Sequence, residues 1–370
     1  MFNLIFLFFS FFLLGVNSFL YFMLILVYLF TIKFLGNNKS KISSVKKKYN
    51  KIKISILIPI YNEEYNLNEL LISIYNNKYI DLYEIIFIND SSTDNSLDIL
   101  SELKKKYKFK VFTVPKQNNV ANVLNLGLQY VHEKSNFVGI INGDCILSNN
   151  CLDKVLFRLE NFNISVLNMS NYSKKYEKMT FYMFCAYIEK KFKNYLFTYD
   201  QSWLNNGYFI KKDLLFKLNG WESITEDLNL SLKLIRNNIS IYQDPEIIIH
   251  DSLPTDLLSF EKQKYRWVYG DILSRISYNP KSLIDIIINI YYFIPLYLII
   301  GIIFKINIFN IMMLQSSIIV GQIIFHYKSN NYQNFGLSIF YSLFQFIFNI
   351  YFYVKFFLKL LWYRKIIVKW

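Results

Sequence analysis

Cysteine is scarce in this chain of 370 residues: Cys145, Cys151 and Cys185 are the whole complement. Three thiols so widely spaced exclude a metal knuckle or a disulfide scaffold, and an odd count fits a reducing compartment. Charge is missing over whole stretches, 2–32, 286–304, 306–325 and 329–354. The first of these exceeds the roughly 20 residues needed to cross a hydrocarbon core. It has no basic residue ahead of it and no small-residue cleavage site behind it, which argues against a secretory signal. Acidic residues are absent from 33–53, where Lys33, Lys39, Lys41, Lys46, Lys47, Lys48, Lys51 and Lys53 stand alone. Also missing are zinc-finger spacing and an arginine-rich recognition segment, so the net charge of +14 points to anionic lipid and excludes nucleic acid as a partner.

What is present is apolar: 53% of residues are hydrophobic and 19% aromatic, too much for an ordinary soluble protein. The sequence therefore predicts an N-terminal transmembrane helix over 1–35, a basic juxtamembrane linker over 36–52, about three spans over 283–354 and a basic amphipathic tail over 355–370. The lysine flank places the following domain in the cytoplasm, giving a multi-pass integral protein of the plasma membrane. Three C-terminal crossings put the tail outside, against its charge, unless one segment is re-entrant.

The middle of the chain has ordinary charge density and a repeating order. Apolar runs at 53–60, 83–88, 109–114 and 137–141 read as strands. Helical periodicity follows at 66–75, 96–106 and 120–131. Strand, turn and helix in alternation predict a parallel sheet with helices on its faces. Ligands bind such sheets beyond the carboxyl ends of the strands, and the polar clusters fall there.

Asp90 ends the second strand among Ser91, Ser92, Thr93 and Asp94. Its carboxylate suits a base or sugar donor, and the hydroxyl residues suit helix capping. Asn142-Gly143-Asp144 repeats the pattern at a fourth strand end, where Asp144 suits a hard divalent cation and Asn142 adds a neutral oxygen; a plain turn is the alternative. Trp221-Glu222-Ser223-Ile224-Thr225-Glu226-Asp227 precedes a helix that Thr225 would cap, and a carboxylate there is able to deprotonate a hydroxyl. Spacing alone prefers neither Glu226 nor Asp227. Gln263, Arg266 and Trp267 follow a Thr255-Asp256 cap on one helix at i, i+3 and i+4, and so share a face. Arginine pairs with phosphate and tryptophan stacks on a sugar, while interfacial anchoring is the competing role.

Taken in order, Leu57-Ile58-Pro59-Ile60-Tyr61-Asn62-Glu63-Glu64, Asn89-Asp90-Ser91-Ser92-Thr93-Asp94, Asn142-Gly143-Asp144, Thr225-Glu226-Asp227 and Gln263-Lys264-Tyr265-Arg266-Trp267 resemble the membrane-bound family 2 glycosyltransferases, which include cellulose, chitin, hyaluronan and poly-N-acetylglucosamine synthases. The resemblance covers about residues 50 to 270. It implies an α/β GT-A (Rossmann-like) catalytic domain over 50–255, an interfacial helical segment over 256–280, and flanking transmembrane helices. It implies an inverting β-transfer from a nucleotide-diphosphate sugar, often UDP-linked, with Mg²⁺ or Mn²⁺. Tyr61 and Glu63 would then lie near the nucleoside, Asp90 on its base and Asn142 beside the donor, with Asp144 on the metal. Asp227 would be the general base with Glu226 beside it, Arg266 would hold the diphosphate, and Gln263, Trp267 and Trp221 the acceptor. Asn206-Gly207 and the stretch to Lys211-Lys212 resemble the acceptor-side segment. Two departures stand out: Asn142 replaces the first aspartate of Asp-x-Asp, and Asn119-Val120-Ala121 stands where relatives commonly show Gly-Lys-Ala. The implied partners are the donor, a polysaccharide or lipid acceptor, membrane lipid and an accessory synthase subunit. Polymer extension is the expected activity, with single-sugar transfer to a lipid and an inactive membrane scaffold as alternatives.

Overall fold

The structure, a computed structural model, describes residues 52–174, 176–187, 190 and 203–278. They form an eight-stranded sheet of order β3-β2-β1-β4-β7-β6-β8-β5. Its first half is built as the periodicity predicts. Strands β1 (Ile54–Ile60), β2 (Tyr83–Asn89), β3 (Lys110–Thr113) and β4 (Phe137–Ile141) run parallel. They are linked by helices α1 (Leu67–Tyr75), α2 (Ser96–Leu103) and α3 (Val120–Leu128). Every residue of β1 is buried, as expected of a strand covered on both faces. Its side chains alternate: Ile54, Ile56, Ile58 and Ile60 face one core with Leu67, Leu70 and Leu71, and Leu57 faces the other with Val123, Leu124 and Trp221.

The second half departs from the expected parallel pattern. After the two-residue β5 (Ile146–Leu147) and helix α4 (Cys151–Asn161) come β6 (Val166–Ser173), β7 (Gly207–Lys211), the short helix α5 (Lys212–Lys217), helix α6 (Glu226–Arg236) and β8 (Tyr242–Asp251). Strand β7 pairs antiparallel with both β4 and β6, whereas β6 and β8 are parallel. The β6–β8 register slips between Met169 and Ser170, opposite Pro245, where a residue without an N–H is tolerated. Helix α7 (Leu257–Tyr278) closes the described chain; Asp256 accepts the Ser259 amide at 2.9 Å and so caps its start, as the sequence predicts.

The membrane expectations are corrected here. Among the described residues no helix is long and apolar enough to cross a membrane. The longest, α7, carries Glu261, Lys262, Lys264, Arg266, Asp271 and Arg275 within its 22 residues. The expected spans over 1–35 and 283–354, and the basic tail, lie outside the described residues. The expected transmembrane fold description and multi-pass plasma-membrane localisation are thus not borne out by any described helix, and the membrane-lipid and accessory-subunit partners have no support among the described residues.

Candidate active site

The parallel half brings three polar clusters to one edge. Ile60 and Asn89 are in register, and the Asp90 amide bonds the Ile60 carbonyl at 2.9 Å, so Asp90 sits beside the turn carrying Tyr61 and Glu63. The two turns are laced together: the Asn62 amide donates to Ser92 Oγ at 3.0 Å, the Glu63 amide to Ser96 Oγ at 2.9 Å and the Glu64 amide to Asp94 Oδ2 at 3.1 Å. The hydroxyl and acid residues after Asp90 thus fasten neighbouring loops as well as the start of α2.

Asp90 is fully buried. Its Oδ1 accepts the Asn118 amide at 2.8 Å, while its Oδ2 has no hydrogen-bond partner among the described residues. Burial lifts this carboxyl to about 6 against the Asn118 hydrogen bond. An orphaned carboxylate oxygen at a strand end is a ready acceptor for a ligand N–H or O–H. Beside it, Asn118, Asn122, Asn125, Leu126 and Gln129 line an open cavity of about 330 Å³.

Asn142, Gly143 and Asp144 follow β4 in a tight turn closed by the Cys145 amide on the Asn142 carbonyl at 3.1 Å. Gly143 is needed for close approach: a β-carbon there would lie 2.8 Å from Ile60 Cγ2 and 3.1 Å from Glu63 Cγ. The turn therefore lies directly against Glu63. Burial first, and then the Asp144 charge, raise Glu63 to about 8. Asn66 ties this corner together: its Nδ2 donates to Glu63 Oε2 at 2.6 Å, and its Oδ1 accepts from Lys174 Nζ at 2.7 Å and Ser252 Oγ at 3.2 Å. Asn142 is anchored from the opposite side. Its amide bonds the Asn206 carbonyl at 3.2 Å, and Asn206 Nδ2 donates to the buried Asp251 at 2.8 Å.

A third group forms where α7 meets the start of α6. Glu226 and Asp227 occupy the first turn of α6, where the helix dipole favours negative charge. Burial and then the neighbouring Asp227 lift Glu226 to about 8, with Arg266 of α7 opposing. Asp227 Oδ1 accepts the Leu228 amide at 2.7 Å. Gln263 Oε1 is buried without a hydrogen-bond partner among the described residues. Lys264, inside the same motif, lies 5.3 Å over the rings of both Phe260 and Trp267, and burial draws it down to about 7.

Two expectations about single residues change. Trp221 is 1% exposed, packs in the core and donates its indole N–H to Tyr208, so its ring offers no face to an acceptor. Thr225 stands at the N-cap of α6 but makes no side-chain capping bond; its side chain meets Gly270 of α7. The sequence pattern missed three contributors, Asn66, Asn125 and Gly270. Asn125 holds Trp221 through both backbone atoms, donating to its carbonyl at 2.8 Å and accepting its amide at 3.1 Å. Gly270 carries a readable signal, since it lies seven residues after Gln263 on the same helical face.

Comparison with known proteins decides the family. The profile of glycosyl transferase family 2 matches residues 55–212, and that of glycosyl transferase family group 2 matches residues 140–363, more than half of the chain. The chain is a family 2 glycosyltransferase. A poly-β-1,6-N-acetyl-D-glucosamine synthase of Staphylococcus epidermidis is 26% identical to it over 265 residues, 66% of this chain and 60% of that protein. An uncharacterised glycosyltransferase of Haemophilus influenzae is 34% identical over 122 residues, 32% of this chain and 47% of that protein. The match thus spans 60% or less of these curated relatives. Among solved structures, a mannosyltransferase of Pyrobaculum calidifontis, in complex with GDP-Man and Mn²⁺, superposes with a TM-score of 0.63 at 13% identity, covering 92% of this chain and 95% of that one. This likeness supports the expected GT-A-like fold. The expected metal-binding character is not borne out as a cluster of the protein's own: among the described residues no group of three or more His, Cys, Asp or Glu side chains is placed to hold an ion.

The raised carboxyls give the glycosyltransferase an acid-side stability. Asp90 and Glu226 hold protons in the folded state above the pH at which they ionise when unfolded. Between about pH 4 and 8 the native state therefore binds more protons, and stability falls as pH rises. Urea titrations at pH 5 and pH 8 are expected to show the wild-type midpoint dropping at pH 8. Glu226→Gln flattens that drop, and an unchanged pH slope in the variant would contradict the assignment.

Proposed function

We propose that this enzyme extends a polysaccharide from a nucleotide-diphosphate sugar, with UDP as the nucleotide, by one inverting displacement that leaves a β-linkage. The observation that carries this reading is the close approach of α7 to the start of α6 at Gly270 and Thr225, which brings the charge of Arg266 in the Gln-x-x-Arg-Trp segment to bear on Glu226, an acid–base group near a cation suited to phosphate. The polysaccharide part draws support from the names of the Staphylococcus relatives, which also make an N-acetylhexosamine the first donor to test.

In this reading Asp90 accepts from the nucleobase through its orphaned Oδ2, and Tyr61 and Glu63 flank the nucleoside. Asp227 takes the proton of the acceptor hydroxyl. The acceptor oxygen then bonds to the anomeric carbon as the bond from that carbon to the phosphate oxygen breaks, and the electron pair leaves with the diphosphate. Arg266 steadies the departing charge, and Gln263 and Trp267 hold the acceptor end. Glu226, carrying its proton at neutral pH, adds no second negative charge beside Asp227. The residues at the 142–144 turn fit a divalent cation, Mg²⁺ or Mn²⁺, taken with the donor: such ions commonly use one or two carboxylates plus substrate phosphates, Asp144 supplies a carboxylate, and Asn142 a neutral oxygen. Bound there, the cation would neutralise charge on the diphosphate.

The test is product mass after incubation with UDP-GlcNAc, UDP-Glc or UDP-GlcA and Mn²⁺. A long product from one donor is expected. A single added sugar would overturn polymer extension, and no product from any donor would overturn the donor reading.

A further inference from the structure

Helix α7 approaches the start of α6 at one residue without a side chain. A β-carbon at Gly270 would lie 2.3 Å from Thr225 Cγ2, 2.7 Å from Thr225 Oγ1 and 3.0 Å from Thr225 Cβ. Contacts this short do not occur between real side chains, so a larger residue at 270 must turn the Thr225 side chain or move one helix away from the other. Thr225 immediately precedes Glu226 and Asp227. Gly270 follows Arg266 by one turn and Gln263 by two, so all three lie on the face of α7 that meets α6. The Arg266 charge reaches Glu226 across this junction. The other ionisable groups bearing on Glu226 are Asp227 on its own helix and the buried Tyr208 of β7.

We infer that Gly270 is a positioning residue for the transfer reaction: its contact with Thr225 sets the distance between the carboxylates of α6 and the Gln263, Arg266 and Trp267 face of α7. The inference rests on the proposed function, which makes the first group the base and the second the holder of diphosphate and acceptor. Gly270 itself touches neither substrate. Thr225 fits the same account, because its side chain meets the α7 backbone at Gly270. The nucleotide end, built on Asp90 and the 142–144 turn, belongs to other elements and does not depend on this contact.

The separation of the two ends gives the experiment. Gly270→Ala is expected to keep wild-type affinity for UMP, which lacks the second phosphate of the diphosphate that Arg266 would hold, measured by calorimetry, while kcat for sugar transfer falls about 100-fold, the scale of a misplacement near 1 Å. Thr225→Ala removes the two atoms nearest the added methyl, so the double variant Gly270→Ala/Thr225→Ala should recover at least tenfold of the loss. Wild-type kcat in Gly270→Ala, or no recovery in the folded double variant, would overturn the inference. Where Gly270→Ala alone fails to fold, the double variant is compared with Thr225→Ala: similar kcat supports the inference, and a further 100-fold loss overturns it. Wild-type enzyme run in parallel separates the two claims: absence of transfer by the wild type would sink the proposed function, whereas transfer by the wild type with the loss confined to Gly270→Ala bears on the inference alone.

Discussion

Asp227→Asn is expected to lower kcat by about 100- to 10,000-fold, the usual contribution of a positioned general base, with UDP affinity unchanged. Asparagine keeps the shape and the oxygen that accepts the Leu228 amide, so the start of α6 is preserved while the basic electron pair is lost. Glu226→Gln should cost about tenfold or less at pH 7, because Glu226 already carries its proton there and the amide is a fair copy of a neutral carboxyl. The comparison assigns roles within a pair that spacing alone left open. If Glu226→Gln were the inactive variant and Asp227→Asn the active one, the base would be Glu226. Initial-rate measurements at saturating donor, with calorimetry for UDP, distinguish these outcomes.

Trp221→Ala is expected to destabilise the folded protein by about 3–5 kcal/mol, the range for emptying a large aromatic site in a core. That is a large fraction of the roughly 5–15 kcal/mol by which domains are held. The indole sits against Leu124, Tyr208 and Leu230 in one core cluster, its N–H donates to Tyr208, and its backbone is held by Asn125. Removing the ring also strands the buried Tyr208 hydroxyl. Trp221→Phe keeps most of the apolar volume and should lose about 1–3 kcal/mol, mainly from the broken hydrogen bond. Urea denaturation measures both. An alanine variant of wild-type stability but weakened acceptor affinity would restore the acceptor role that the sequence suggested for this tryptophan.

The course from β1 to β4 is legible because each strand is an apolar run closed by turn residues, and each intervening helix repeats leucine, isoleucine or valine at helical spacing. The observed bounds of β1 and β4 differ from the expected ones by a residue or none. The later strands are harder for a physical reason. Strands β6 and β8 bury Asn168, Ser170, Asn171, Asp244 and Asp251, which pair with distant groups: Arg158 bonds Asp244 at 2.6 Å, and Asn171 bonds Asp251 at 3.1 Å. A strand whose polar residues are satisfied from 80 or so positions away carries no local strand pattern for a scan of the chain to read.

The same distinction runs through the site. The sequence singles out Asp90, Asp144 and Asp227 as candidates because they stand at strand and helix ends, in turns with small or hydroxyl neighbours. Trp221 misled for its company: a large aromatic next to Glu222, Glu226 and Asp227 looks like a sugar platform, and only the packing shows it turned inward. Asn66 is not legible because its meaning lies in the distant partners Lys174 and Ser252, and Gly270, although it shares the helical face of Gln263, takes its role from the distant Thr225. The apolar segments at either end were read from length and charge alone, and no described helix has that character.

In the proposed reaction Asp227 drives a single displacement from one side of the sugar while the diphosphate leaves from the other. Proton NMR of the first product formed from an α-linked UDP-sugar tests it directly, through the coupling constant of the new anomeric proton. A β-linked product is predicted; an α-linked product would contradict the account.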